Sequence, residues 1–188
     1  MRIISGSAKG KKLFTPINKK TRPLKDMVRE SIFNIIHHSN LLKSNYESSI
    51  ALDLYSGVGS FGLEAISRGF KKVIFFENYK PAVNLLKKNI NNLSFNKKTK
   101  IYEKNINQEN NFKKMDYKFD LIFLDPPFQD KNIDNIFNLL QNSKIIHSHT
   151  LIVLHRHKQT IDNLKNKLNI QREEYYGKSK IIFGYFVI

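Results

Sequence analysis

Two hydrophobic rhythms alternate along this chain. Short apolar runs, the signature of buried strands, occupy Ile50 to Leu54, Lys72 to Glu77, Lys100 to Lys104, Phe119 to Leu124, Leu151 to Leu154 and Ile181 to Ile188. Between them apolar residues recur three or four positions apart, as on the buried face of a helix. One such stripe, opened by Pro23, is Leu24, Val28, Ile32, Ile35 and Ile36, which places Lys25 and Arg29 off the buried face. Others are Val83, Leu86 and Ile90 within Ala82 to Leu93, then Ile133, Ile136, Phe137 and Leu140, and finally Ile161, Leu164 and Leu168. Strands alternating with helices predict a parallel α/β sheet, to which the last pieces can add an antiparallel hairpin. Ahead of all this, Arg2 to Phe14 has short β-prone pieces around Gly6 and Gly10, predicting a small accessory hairpin.

The first strand runs into Tyr55-Ser56-Gly57-Val58-Gly59-Ser60-Phe61-Gly62, after which helix formers resume and continue to about Gly69. Glycines in a strand-to-helix turn let backbone approach a ligand, and the G-x-G-x-x-G spacing fits NAD, FAD and S-adenosylmethionine (SAM) sites equally. A tight turn without a ligand is the plain alternative. Glu77 closes the second strand about twenty residues past the first glycine, the spacing at which an acid accepts ribose hydroxyls. Asn105 and Ile106 close the third, where an adenine ring would lie. The fourth strand ends on Asp125-Pro126-Pro127-Phe128. Because ligands in open α/β sheets bind beyond the carboxyl ends of the strands, this second loop faces the same edge as the glycine turn.

Composition narrows what these loops serve. At 188 residues, 40% of them hydrophobic, the chain suffices for one buried core, and no linker-like tract divides it. It has no cysteine, which excludes disulfides, thiol catalysis and cysteine metal sites. The opening residues lack the apolar core of a signal peptide and no run is long enough to span a bilayer, so a cytoplasmic protein is expected. The formal net charge of +16 favours a polyanionic partner, although abundant Lys and Asn also fit A/T-rich codon drift. Bases concentrate between Met1 and Lys43, which argues for a binding face there; Arg2, Lys9, Lys11, Lys12 and Arg29 are its candidate contacts to a polyanion.

The segments Thr21-Arg22-Pro23, Val28-Arg29-Glu30, Phe33-Asn34, Leu52-Asp53, Gly57 to Gly59, Gly62-Leu63-Glu64-Ala65, Ser67-Arg68-Gly69 and Asp125 to Phe128 resemble the RsmD family. Its members are bacterial 16S rRNA (guanine966-N2)-methyltransferases of class I. The resemblance covers nearly all of residues 1–188. It implies one Rossmann-like methyltransferase domain with a mostly parallel seven-stranded sheet, helices on both faces and the last strand antiparallel, residues 1–20 being the basic accessory hairpin. It also implies SAM as cofactor and 16S rRNA as partner, within a small ribosomal subunit or an assembly intermediate, with the chain acting as a monomer. Asp125, Pro126, Pro127 and Phe128 would then be catalytic. Thr21, Arg22, Asp53, Ser56, Gly57, Gly59, Glu77, Asn105 and Ile106 would hold SAM, Arg22 being equally able to touch RNA phosphate.

The residues suit that chemistry on their own. An aryl amine is a poor nucleophile, and the Asp125 carboxylate and Pro126 carbonyl can accept its two hydrogens while Phe128 stacks on the base. The chain departs from the family where its members tend to carry an acid near the end of the fifth strand, here Val153-Leu154-His155-Arg156-His157. His147, His149, His155 and His157 lack a third-ligand motif, so no metal is expected. The rival readings are a DNA adenine-N6 methyltransferase, a nucleotide-dependent oxidoreductase and a non-catalytic RNA-binding or ribosome-assembly protein.

Overall fold

The computed structural model describes residues 1–16, 24–106, 110–113, 115–130 and 133–187. In chain order the elements are α1 (Asp26–His38), β1 (Ile50–Leu54), α2 (Ser60–Ser67), β2 (Lys72–Phe76), α3 (Lys80–Asn92), β3 (Thr99–Tyr102), α4 (Asn110–Lys113), β4 (Leu121–Leu124), α5 (Ile133–Gln141), β5 (Leu151–His157), β6 (Leu168–Tyr176) and β7 (Ser179–Phe186). The strands form one sheet in the order β3-β2-β1-β4-β5-β7-β6. β1 to β5 pair in parallel, and β7 runs antiparallel between β5 and β6. This is the mixed, mostly parallel α/β sheet expected, with helices around it.

Strands β1, β2, β4 and β5 are buried on both sides, which is why they read as unbroken apolar runs. Alternate side chains feed two cores. Val73 and Phe75 of β2, with Leu121 and Phe123 of β4, face α1, α2 and α3; Ile74, Phe76, Ile122 and Leu124 face α5. On the first side an aromatic column joins the layers: Phe33 stacks on Phe61 at 4.9 Å and Phe61 on Phe123 at 3.9 Å between ring centroids.

Two expectations need correction. No helix forms over Ile161 to Leu168. Leu164 and Leu168 are buried, but Ile161 is 96% exposed and the segment runs without regular structure into a turn before β6. Asp162 is drawn to Arg156, and Thr160 O accepts from Lys180 Nζ at 2.8 Å, so tertiary contacts override a short helical spacing.

The second correction concerns Arg29, which is fully buried and has no RNA-facing surface. Phe33 widens the α1 stripe, and Arg29 lies one turn before it on the same face. Its guanidinium donates to Arg2 O and to Asp26 Oδ1, and its Nε sits 3.7 Å from Glu64 Oε2. Burial pulls its pKa down, while Glu64 and Asp26 support the charge.

The N-terminal segment forms the small hairpin expected, and it is built into the core rather than standing apart from it. Its arms are joined by the antiparallel bridge of Arg2 with Lys12 and by backbone bonds from Ile3 N to Lys11 O (2.9 Å), Gly10 N to Ile3 O (2.8 Å) and Leu13 N to Met1 O (3.2 Å), and the hairpin docks on α2. Glu64 accepts from the N–H groups of Ile4 (2.7 Å) and Ser5 (3.0 Å) and from Arg68 Nε (2.7 Å), while Ser67 Oγ accepts from Ala8 N and donates to Ser5 O. Ile3 and Leu13 enter the core. Gly6 makes the docking possible: at φ +80° a Cβ there would lie 1.8 Å from Ser67 O.

Candidate active site

The strand order reverses between β1 and β4, and the crevice at such a switch point is where open α/β sheets take ligands. Residues 55–59 follow β1 on one side of it, and residues 125–130 follow β4 on the other.

The glycine turn is held through its backbone. Tyr55 leaves β1 at φ +59°, and the Ser56 N–H and hydroxyl both bond to Phe76 O. Gly59 has φ +83°, with the site of a Cβ only 2.3 Å from Leu86 Cδ1, so only glycine fits there without displacement. Asp53 is buried beneath the turn, where its Oδ2 accepts the Gly62 N–H at 2.9 Å and so satisfies a donor of the first turn of α2. Burial pushes its carboxyl well above the usual range; the Gly62 bond opposes this, and the charges of Asp125 and Glu77 add to it.

Glu77 Oε2 accepts the Gly57 N–H at 2.7 Å, and its Oε1 accepts from Asn78 and Tyr79 at 2.9 and 2.8 Å. A carboxylate offers about four acceptor positions, so three are already in use. A ribose hydroxyl can take the fourth; taking two requires Gly57 or a neighbour to let go. Ile106 is buried in the core beside Leu54 and Phe76, while Asn105 is exposed. Thr21 and Arg22 lie outside the described residues.

The second loop is held through side chains. Asp125 Oδ1 lies 2.7 Å from His155 Nδ1, and His155 Nε2 lies 2.9 Å from Ser179 Oγ. Pro126 is buried and Pro127 exposed. The Phe128 ring meets His155 and His157 edge-on, at 5.4 and 5.3 Å between centroids. Arg156, nearly fully buried, grips both oxygens of Asp162 at 2.9 and 3.0 Å and donates to Asp130 O (2.9 Å) and Pro127 O (3.4 Å). Tyr55 OH donates to Asp130 Oδ2 at 3.1 Å, tying the two loops together; burial raises its phenol pKa.

Arg2, Lys9, Lys11 and Lys12 are exposed on the N-terminal segment. Asn89 of α3 connects that segment to the glycine turn: its Oδ1 accepts Phe14 N at 2.7 Å, and its Nδ2 donates to Phe14 O and Val58 O at 3.1 Å each. The histidines divide between two edges of the sheet, His147 and His149 preceding β5 and His155 and His157 at its carboxyl end. Among the described residues no three His, Asp or Glu cluster as metal ligands, and no helix is long and apolar enough to cross a membrane.

Residues 1–185 match the family described as Conserved hypothetical protein 95. This chain belongs to that family, the RsmD family of methyltransferases. It is 35% identical over 162 residues to the ribosomal RNA small subunit methyltransferase D of Haemophilus influenzae, covering 84% of this chain and 79% of that one. It is 32% identical over 179 residues to YlbH of Bacillus subtilis, provisionally named an rRNA methyltransferase, covering 94% of each. The solved structure of Escherichia coli yhhF superposes with a TM-score of 0.81 over 99% of this chain and 97% of the other, at 24% identity, a likeness of fold.

Within this RsmD-family chain, sequence reasoning missed His155, Ser179, Arg156, Asp162 and Asn89 as parts of the site. His155 and Arg156 stood out as a departure from the family pattern, and His155 also among histidines weighed as metal ligands, but neither as a partner of Asp125 or its loop. The signal that finds them is register: β5 lies beside β4 with Leu124 opposite Leu154, so the residues just beyond these meet across the strand ends.

Proposed function

We propose that this chain transfers a methyl group from SAM to the exocyclic N2 amine of a guanine in 16S rRNA, guanine 966 by family resemblance. The observation that carries this reading is the Asp125 carboxylate, fixed at the switch point directly across from the glycine turn. The names of the Haemophilus influenzae and Bacillus subtilis relatives point to ribosomal RNA as the substrate class.

The residues present fit SAM. Gly57 has open space where a side chain would project, Glu77 keeps one acceptor position, and Asn105 is exposed at the end of β3. When bound, SAM supplies a methyl group already activated on a sulfonium, so no metal is called for. Asp53 acts from beneath, holding α2 against the turn rather than touching the ligand. Asp125 and the Pro126 carbonyl accept the two amine hydrogens and aim the nitrogen along the line of transfer, and such positioning dominates a reaction whose donor is preactivated. As the nitrogen–carbon bond forms, the methyl carbon would part from the sulfonium sulfur, which would leave as a neutral thioether; positive charge builds on the amine, Asp125 offsets it, and the proton leaves to Asp125 or to water. Phe128 stacks on the base, worth about 1–3 kcal/mol, and the base is unpaired or flipped to reach it. Arg2, Lys9, Lys11 and Lys12 meet RNA phosphates, which position without specifying sequence.

The test is transfer of labelled methyl from SAM to unmodified small-subunit rRNA, free and assembled, with nucleoside mass spectrometry. N2-methylguanosine at one site is expected. N6-methyladenosine would keep the amine chemistry and replace the substrate; no labelled nucleic acid would favour a binding protein. RNA affinity should fall steeply between low and physiological salt, and a flat response would remove the basic segment from the interface.

A further inference from the structure

We infer that His155 is a positioning residue for the methyl transfer: it fixes the Asp125 carboxylate so that one oxygen alone is presented to the acceptor amine, with Ser179 locking the ring in the state that does so. The inference rests on the methyl-transfer reading above.

The geometry leaves little freedom. An ionised carboxylate has no hydrogen to give, so the 2.7 Å contact requires Nδ1–H of His155 to donate to Asp125 Oδ1. In the neutral ring Nε2 then carries the lone pair, and the Ser179 hydroxyl, 2.9 Å away, donates to it. One tautomer satisfies both contacts. The two members of the pair differ in exposure: the His155 side chain keeps 8% of its surface, whereas that of Asp125 keeps 22%. Asp125 Oδ2 has no hydrogen-bond partner among the described residues, which leaves it as the acceptor for an incoming N–H. The same imidazole also meets Phe128 edge-on at 5.4 Å. It therefore touches both side chains assigned to the base, the one that holds its amine and the one that stacks on its ring.

Fixing the carboxylate matters because the amine lone pair must be turned out of conjugation and pointed at the methyl carbon. A carboxylate free to rotate would offer that orientation only part of the time. Arg156, the next residue along β5, projects to the other side and holds the loop backbone, so its role is separable.

Two substitutions decide the matter. His155→Asn keeps an amide N–H close to the place of Nδ1–H; His155→Leu keeps bulk and loses the donor. Methyl transfer to small-subunit rRNA is measured at saturating SAM, together with SAM affinity by calorimetry and the melting temperature. His155→Leu should lower kcat on the order of 10- to 100-fold, with SAM affinity and the KM for RNA changed less than about twofold. His155→Asn should recover most of that loss, and Ser179→Ala should lower kcat only about threefold, since it loosens the ring without removing it. Equal losses in Leu and Asn, wild-type kcat in Leu, or a fall in SAM affinity together with melting temperature would overturn the inference in favour of a packing role. Nitrogen-15 shifts of His155 give a reading independent of activity: Nδ1 protonated and Nε2 bare is expected, and the opposite tautomer overturns the inference. Wild-type protein that methylates no rRNA while showing the expected tautomer would sink the substrate reading and leave the Asp125–His155 pairing standing.

Discussion

Around the glycine turn, side chains grip backbone: Asp53 takes the Gly62 N–H, Glu77 the Gly57 N–H, and Asn89 the Val58 carbonyl. Across the crevice, residues 125–130 are held by charged and aromatic side chains from β5 and beyond, with His155 on Asp125 and the Arg156–Asp162 pair on the carbonyls of Pro127 and Asp130. Backbone groups are the same in every residue, so the first arrangement depends on shape and on acceptors in the right place. The second also has Arg156 on backbone carbonyls, but its anchor at Asp125 joins side chain to side chain and so depends on which residues are present. Changes on the first side should therefore be felt in cofactor binding and stability, and changes on the second in rate or in the integrity of the loop.

The sharpest way to break that contrast is Asp125→Ala. It should lower kcat by about 10³-fold, the scale of losing a preorganised polar contact to the transition state, while SAM affinity measured by calorimetry stays within about twofold. Equal loss of both would merge the two sides into one. Arg156→Met comes next. It strands the nearly buried Asp162 and frees two loop carbonyls, so urea unfolding should show a loss of about 3 kcal/mol. The double change Arg156→Met with Asp162→Leu should restore much of that stability but not the activity, because the carbonyls stay unheld.

On the glycine side, Gly59→Ala adds a methyl 2.3 Å from Leu86 Cδ1 at a φ that side chains rarely adopt. A destabilisation of about 1–2 kcal/mol and weaker SAM binding are expected, with kcat at saturating SAM near wild type. The smallest effect is that of Asp53→Asn. The amide oxygen still accepts the Gly62 N–H, but the buried charge is gone. Because burial raises the Asp53 pKa in the folded state, its contribution to stability is greatest below the unfolded value and is lost as pH rises through the folded one. The variant should lack that slope and melt about 3 °C higher than wild type at pH 8, with no advantage at pH 3.5. A parallel pair of pH–melting curves would show that Asp53 titrates alike folded and unfolded.

What was legible in the sequence divides along the same line. The glycine turn and Asp125-Pro126-Pro127-Phe128 are contiguous, and local chemistry announces them: positive φ in one, restricted backbone after an apolar run in the other. His155, the partner of Asp125, stands 30 positions later, and Ser179, the partner of His155, stands 54 later; they meet only through the β4–β5–β7 register, which no local pattern encodes. Arg29 failed for a related reason. Lysine and arginine usually mark the wet side of a helix, and Arg29 is buried because Glu64, from another helix, waits for it. The stripe at Ile161, Leu164 and Leu168 misled because three apolar residues suit a helix and an irregular strap alike, and Asp162 reaching for Arg156 chose the strap.

β7 is the last of these elements to be synthesised, yet it lies between β5 and β6 and carries the Ser179 that locks His155. Until it has left the ribosome exit, β5 is an open sheet edge and β6 has nothing to pair with. The nascent chain can form the glycine turn long before it can finish the opposite wall of the crevice. On that timetable the wall proposed to bind is ready before the wall proposed to react, and a chain halted before β7 would carry the first without the second.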